Sequence, residues 1–373
     1  MRTILFHRFG AITSTRLLST AVSATNPTQW GILSAGKISS DFCQALQVAP
    51  NAIAAAVAAR SQTKARAFAA RHNIPTAYGS YEAMLQDPTI DVVYVGSIAD
   101  QHAALTEQAI LARKPVVVEK PLSLDYTTTK KLTQLARQEH VFLMEGMWTR
   151  FFPAMRRVRE LMPQIGEVSV IQADFGWSTA ECGPNDRIWS PESGGMTLDI
   201  GMYLAQLGQV VWPGSKVLDL QAMGSKENGV DHTVLANIMY EGGGFLQFYV
   251  TGAANTEERV LIQGTKGRII IDPPAHVPQC VRLVMDKGRN DNSETVSEFP
   301  LPDDSFASWN YPGSIGFVYQ IEAVGRALKA GLLECPDFKW EDSLQVASML
   351  DRIRSQLSDA NWNMQGQGLQ QAV

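Results

Sequence analysis

The sequence predicts two successive architectures: a parallel, doubly wound α/β sheet, then an α+β domain built on one large, mostly antiparallel sheet. Three observations predict them. Up to about residue 150, apolar runs of strand length alternate with amphipathic stretches of helical length, and the short connections of this βαβαβ rhythm suit parallel strands. From 167 to 271, strand-length runs mostly follow one another across turn signals, including Glu241-Gly-Gly-Gly244 and Gly264-Thr-Lys-Gly267. The length of 373 residues gives each part enough chain for its own core.

Trp30-Gly31-Ile32-Leu33 reads as a short buried strand, and a glycine-containing turn leads into a helix from about 38. Residues 52–59 are an apolar run of strand length whose alanine content equally permits a helix. Residues 63–72 are amphipathic and helical. A third strand is expected at 91–95, a helix at 101–112, a fourth strand at 115–118 and a helix at 126–138 before the strand 141–144. The second half has expected strands at 167–175, 217–224, 232–240, 244–251, 258–263 and 267–271, with helices at about 194–212 and 314–331. The expected organisation is a leader at 1–28, domains at 29–150 and 151–360, and a frayed tail at 361–373.

Apolar content of 45% and charged content of 18% are ordinary for a globular enzyme. A net charge of −5, with lysines and arginines dispersed, argues against nucleic acid as a partner. No run of eighteen apolar residues occurs, so no transmembrane helix is expected. Cys43, Cys182, Cys280 and Cys335 fit no zinc or disulfide spacing and read as free thiols; with no His cluster either, no metal is expected. Residues 1–28 carry Arg2, His7, Arg8 and Arg16 and many hydroxyl side chains, and the first acid in the chain is Asp41. That composition predicts a mitochondrial transit peptide, the alternative being a disordered leader on a cytoplasmic protein.

The first strand-to-helix turn, Gly31-Ile-Leu-Ser34-Ala-Gly36-Lys37-Ile38-Ser39, keeps only the middle glycine of a G-x-G-x-x-G dinucleotide turn. Gly36 would let the backbone approach a pyrophosphate resting on the following helix N-terminus. No acid lies between Asp41 and Glu82 to bind a ribose 2′-hydroxyl as NAD enzymes require. Arg60, with Ser61 and Lys64, instead offers cations for a 2′-phosphate, which favours NADP over NAD; the alternative is that both are solvated surface charges. Ser97 and His102 follow the third strand in the crevice where such sheets bind ligands, although His102 could equally cap a helix.

Lys120 closes the fourth strand, and Pro121 holds its backbone extended. Asp199 and Tyr203 stand four apart, on one face of the expected helix. A lysine that lowers the tyrosine's pKa would give a proton donor and acceptor usable near neutral pH, a combination suited to hydride transfer between a carbinol and a nicotinamide.

Glu119-Lys120-Pro121, Met144-Glu145-Gly-Met-Trp148-Thr-Arg150-Phe-Phe152-Pro153 and Gly194-Gly195-Met-Thr-Leu-Asp199-Ile-Gly201-Met-Tyr203 together carry a resemblance. Over about residues 29–358 the chain resembles the glucose–fructose oxidoreductase/inositol dehydrogenase (Gfo/Idh/MocA) family, within it the dimeric dihydrodiol dehydrogenases and NADP-dependent D-xylose 1-dehydrogenases. The resemblance implies a Rossmann domain, an open antiparallel sheet and an active site between them. Lys120 and Tyr203 become the catalytic pair, with Asp199 orienting Tyr203 or the substrate hydroxyl. Many family members have histidine where Tyr203 stands. Ser34, Gly36, Lys37 and Ile38 would bind phosphate, and Arg60 and Lys64 the 2′-phosphate. Ser97, His102, Glu119 and Lys120 complete the cofactor contacts. Residues 176–192, with Trp177, Arg187 and Trp189, would line the substrate pocket. Trp148 and Phe152 would form an apolar wall, Trp148 being equally suited to packing between domains.

Three functions compete. The first is oxidation of an aldose such as D-xylose to its lactone. The second keeps the chemistry on a trans-dihydrodiol, or reverses it on a dicarbonyl. The third is a noncatalytic dinucleotide sensor, which fold alone does not exclude. A homodimer covering the open sheet face is expected.

Overall fold

The computed structural model describes residues 26–288 and 291–357. Most of the expected leader and all of the expected tail lie outside them. Thr28, assigned to the leader, instead heads the first strand.

The first half runs β1 (Thr28–Leu33), α1 (Lys37–Leu46), β2 (Ala52–Ala58), α2 (Gln62–His72), β3 (Thr76–Tyr78), α3 (Tyr81–Leu85), β4 (Val92–Val95), α4 (His102–Leu111), β5 (Val116–Glu119), α5 (Tyr126–Glu139) and β6 (Leu143–Gly146). Its six strands pair in the order β3-β2-β1-β4-β5-β6, all parallel. With helices on its faces, such a sheet is buried on both sides, which is why β4 and β5 are continuous buried runs. The alanine-rich run at 52–59 resolves as strand β2 because β1 and β3 supply its partners on either side. The expected scheme omitted β3 and α3, both short, and β3 has no fully buried residue to mark it.

After α6 (Pro153–Leu161) the chain enters β7 (Val168–Gly176) and two short helices, α7 (Met202–Ala205) and α8 (Leu207–Val211). It continues through β8 (Val217–Glu227), β9 (Val230–Tyr240), β10 (Phe245–Thr251), β11 (Val260–Gly264), β12 (Gly267–Ile271), β13 (Cys280–Gly288) and β14 (Asp291–Glu298), then α9 (Phe317–Lys329) and α10 (Trp340–Gln356). The sheet order is β14-β13-β12-β11-β7-β10-β9-β8, antiparallel except for β7 with β10. One face is buried and the other open, as β10 shows: Leu246, Phe248 and Val250 are buried while Phe245, Gln247 and Tyr249 are exposed. The sequence reading missed β13, β14 and α10. β14 reads Asp-Asn-Ser-Glu-Thr-Val-Ser-Glu, an edge strand with no buried side to betray it.

The single helix expected at 194–212 is broken. Thr197–Gly201 is a wide π turn ahead of α7, and α8 is a separate short helix. Helices of this kind interrupt regular winding often at functional positions. Gly208 is required in α8, because a Cβ there would collide with the Tyr240 side chain.

The two halves share one large core, with Trp30 and Phe42 in the same cluster as Phe175 and Ile238. Phe42 stacks on Tyr94 at 3.7 Å and meets Phe317 of α9 edge-on at 5.5 Å. Asp41 of α1 is fully buried and accepts from the Asn310 and Tyr311 amides, the Asn310 side chain and the Ser314 hydroxyl. These bonds fasten the 305–316 loop over the first domain. Trp340 of α10 likewise donates its indole N–H to the Leu143 carbonyl at 2.9 Å.

Candidate active site

Lys120 follows the carboxyl end of β5, Asp199 lies in the π turn and Tyr203 is the second residue of α7, so the two domains meet at these three side chains. Lys120 Nζ donates to the Asp199 backbone carbonyl at 2.6 Å and lies 3.6 Å from its Oδ1. Arg187 Nη1 reaches the same Oδ1 at 2.7 Å, and the Trp177 indole N–H donates to Oδ2 at 3.3 Å. Burial pushes the Asp199 carboxyl up, but the Lys120 and Arg187 charges and the bonds from Arg187 and Trp177 outweigh it and hold the group at about 2. The carboxylate is therefore a fixed negative charge. It is engaged with three neighbours, not directed at Tyr203.

Tyr203 is buried, and its oxygen accepts the Trp148 indole N–H at 3.0 Å. Lys120 Nζ stands 5.2 Å from the centroid of the Tyr203 ring. The expectation that Lys120 lowers the tyrosine's pKa is not met in this state. Burial raises it, the Glu119 and Asp199 charges raise it further, and the Trp148 bond and Arg187 charge oppose them. Lys120 is committed to Asp199. The phenol therefore rests protonated.

Four further residues have placements other than those expected. Glu119 is buried with Oε1 accepting from the Tyr94 hydroxyl at 2.8 Å, which turns that oxygen into the protein. Burial raises Glu119 to about 7 against the pull of the Lys120 charge. His102 has Nδ1 2.6 Å from the Pro121 carbonyl and Nε2 3.1 Å from the Ser97 carbonyl, so both nitrogens face backbone and the ring braces the turn after β5. Phe152 is fully buried at Gly316, where any Cβ would strike its ring, and is core rather than pocket wall. Trp189 stacks on His232 at 5.9 Å and makes none of the hydrogen bonds to Asp199 that Trp177 and Arg187 make.

The first turn fits a dinucleotide phosphate. Gly36 caps α1 with no side-chain cap and no acid in the first turn, Lys37 adds a cation, and Ser34 takes a left-handed φ of 87°. Ile38 follows in the same turn, half-buried. Arg60 and Lys64 lie exposed past the end of β2. Neither side chain has a hydrogen-bond or ion-pair partner among the described residues, while Ser61 caps α2 through the Lys64 amide at 3.4 Å. Ser97, half-buried, donates to the Ile98 carbonyl. The described residues contain no cluster of three or more His, Cys, Asp or Glu side chains able to hold a metal, and no helix long and apolar enough to cross a membrane.

Sequence reasoning missed three residues at the site. Tyr311, whose amide is held by Asp41, brings its hydroxyl under the influence of the Arg187 charge, which opposes the upward push of burial on the phenol. Tyr94 holds Glu119. His276 lies beside Tyr203 with ring centroids 5.9 Å apart. None belongs to a motif; only Tyr94 of β4, in an otherwise valine run, carried a local signal.

Comparison with known proteins agrees with the two-domain fold. Residues 28–147 match the "Oxidoreductase family, NAD-binding Rossmann fold" profile, and residues 155–270 match the "GFO/IDH/MocA C-terminal domain". The chain is 37% identical over 331 residues to a trans-1,2-dihydrobenzene-1,2-diol dehydrogenase of Sus scrofa, covering 87% of this chain and 96% of the relative. It is 38% identical over 334 residues to the enzyme of that name from Danio rerio, covering 88% and 96%. Among solved structures, the 3-ketoreductase KijD10 of Actinomadura kijaniata, in complex with NADP and TDP-benzene, shares the fold at a TM-score of 0.74 and 24% identity, covering 89% of this chain and 98% of its own. A levoglucosan dehydrogenase in complex with NADH and levoglucosan does so at 0.77 and 17%, covering 89% and 97%. The chain belongs to the Gfo/Idh/MocA family of NAD(P)-binding oxidoreductases.

Proposed function

We propose that this chain is an NADP-dependent dehydrogenase acting on the carbinol of a trans-dihydrodiol, with a cyclic sugar such as D-xylose as the second candidate, and that Tyr203 handles the proton. The observation that carries this reading is the buried Tyr203 hydroxyl, which accepts from Trp148 beside the Lys120 ammonium at the domain junction. A bound nicotinamide would supply the hydride acceptor in oxidation and the donor in reduction. In oxidation the substrate O–H gives its proton to the Tyr203 oxygen in its phenolate form, while the C–H bond of the same carbon gives up the hydride with its electron pair. In reduction the protonated Tyr203 delivers its proton to the new alkoxide. The raised pKa of Tyr203 keeps it ready for reduction at neutral pH and makes oxidation increase with pH. Asp199, held by Arg187 and Trp177, anchors Lys120 at the domain junction.

The relatives' printed activity supports the diol over the sugar. The partnerless cations Arg60 and Lys64 support NADP over NAD. The test is initial rates of the full chain with NADP⁺ and NAD⁺ separately, on trans-1,2-dihydrobenzene-1,2-diol, D-xylose and D-glucose. Turnover with NADP⁺ on the diol is expected. Tight NADP⁺ binding without turnover on any would overturn it in favour of the dinucleotide sensor.

The open sheet face supports a homodimer as part of the proposal. Exposed Met223, Leu235, Phe245 and Tyr249 flank an amide ladder in which Gln263 donates to Gln172, Gln172 to Gln247 and Gln247 to Asn237. A concavity of about 440 Å³ opens there. A second copy presenting the same face would bury these apolar groups. A monomer in light scattering at micromolar concentration would remove this element. The arginine-bearing, acid-free leader supports mitochondrial import, which an import assay with processing of the leader would test.

A further inference from the structure

Beside Tyr203 the structure assembles a second polar group inside an aromatic setting. His276 belongs to the loop between β12 and β13, and its Nδ1 lies 2.6 Å from Glu258 Oε2. Its ring stacks on Phe175 at 4.6 Å, stands 5.9 Å from the Tyr203 ring and 6.4 Å from the Trp148 ring. The pair is built, not incidental. Glu258 adopts a left-handed φ of 60°, and its amide is held by Asp174 Oδ2 at 2.8 Å. The Glu258 carbonyl accepts the Ala275 amide, and the Thr149 hydroxyl donates to the His276 carbonyl at 2.6 Å. Thr149 follows Trp148, so one short segment fixes both the donor to Tyr203 and the backbone of His276.

A carboxylate accepts only, so Nδ1 carries the proton facing Glu258, and in that tautomer of the imidazole the lone pair lies at Nε2. Nε2 has no hydrogen-bond partner among the described residues, and the side chain is 21% exposed. An orientated acceptor next to the phenol that takes a carbinol proton fits a hydroxyl on the neighbouring carbon.

We propose that His276, oriented by Glu258, is a specificity-determining residue that binds the hydroxyl adjacent to the reacting carbinol, so that the site selects vicinal diols. Glu258 is a positioning residue acting through the ring. The inference rests on the assignment of Tyr203 as the proton-handling group.

The test compares trans-cyclohexane-1,2-diol with cyclohexanol on the full chain saturated with NADP⁺, by turnover and by affinity. The wild-type protein is expected to prefer the diol by about tenfold, the contribution of one buried hydrogen bond. His276→Phe is expected to erase the preference while leaving the NADP⁺ dissociation constant unchanged. Glu258→Ala should behave like it, and Glu258→Gln, which can still accept from Nδ1, should restore most of it. An unchanged diol-to-alcohol ratio in His276→Phe would overturn the proposal. Should a variant fail to fold, ¹⁵N-histidine NMR of the wild-type protein decides. The His276 Nε2 resonance is expected to move on adding the diol and not on adding cyclohexanol, and a stationary resonance overturns the proposal. A resonance that moves in a protein that turns over neither compound sinks the dehydrogenase reading, and with it the role in catalytic specificity, and leaves His276 only as a diol-binding residue.

Discussion

The Trp148 indole N–H donates to the Tyr203 oxygen at 3.0 Å, which makes a tryptophan the hydrogen-bond donor to the phenol. A donor to that oxygen favours the phenolate, and it opposes the burial and the Glu119 charge that keep the proton on. Trp148→Phe keeps the ring and removes the donor. The Tyr203 pKa then rises further, so the rising limb of the oxidation rate against pH moves to higher pH, with about a tenfold loss near pH 7. A purely structural effect would lower the rate equally at every pH, and rate profiles from pH 6 to 10 separate the two.

Glu119→Gln is expected to act in the opposite direction. The Glu119 charge raises the Tyr203 pKa, so removing it shifts the same rate profile to lower pH. The substitution also has a stability signature. Burial raises Glu119 from 4.5 to about 7, so its contribution to stability is full below pH 4.5 and is lost as pH rises through 7. Glutamine still accepts from Tyr94 and does not titrate. Relative to the wild-type protein, the variant should gain up to about 3 kcal/mol between pH 5 and pH 8 in urea unfolding. A constant difference across that window would show that Glu119 does not titrate there.

How far the sequence disclosed this site depends on the kind of interaction. Lys120, Asp199 and Tyr203 were readable because strand ends and short motifs fix them locally. Their partnering was not. Lys120 turned to the Asp199 carbonyl instead of the phenol because the π turn, invisible in a periodicity that suggested one helix, presents that carbonyl to it. The six parallel strands emerged from apolar runs, except β3, which is three half-buried residues. The open sheet was legible where one face is buried, and illegible at β14, where neither is. Tyr311 and His276 reach the site from loops whose positions are set by Asp41 and Glu258, across 270 and 18 residues of chain.

Asp199→Asn tests the fixed charge at the domain junction. Burial opposes ionisation, yet Lys120 and Arg187 hold the carboxyl at about 2, below its ordinary 3.8. A depressed carboxyl stabilises the fold fully above pH 3.8 and loses that contribution as pH falls through 2, on the order of 2 kcal/mol. The wild-type advantage in unfolding free energy should therefore be largest above pH 4 and shrink toward pH 2. An advantage independent of pH over that range would mean that packing, not charge, is what asparagine disrupts.

Arg60→Ala tests the coenzyme preference without touching the chemistry. Arg60 is exposed beyond β2, without an ion-pair partner among the described residues, so its removal should leave the melting temperature within a degree or two. A guanidinium–phosphate contact is charge-assisted and bidentate, and its loss should weaken NADP⁺ binding about 10- to 100-fold. NAD⁺, which carries no 2′-phosphate, should bind about as before. Isothermal titration of both coenzymes against both proteins measures the ratio. A parallel loss for NAD⁺ and NADP⁺ would place Arg60 on the shared pyrophosphate or adenosine instead, and no loss for either would make it a solvated surface charge.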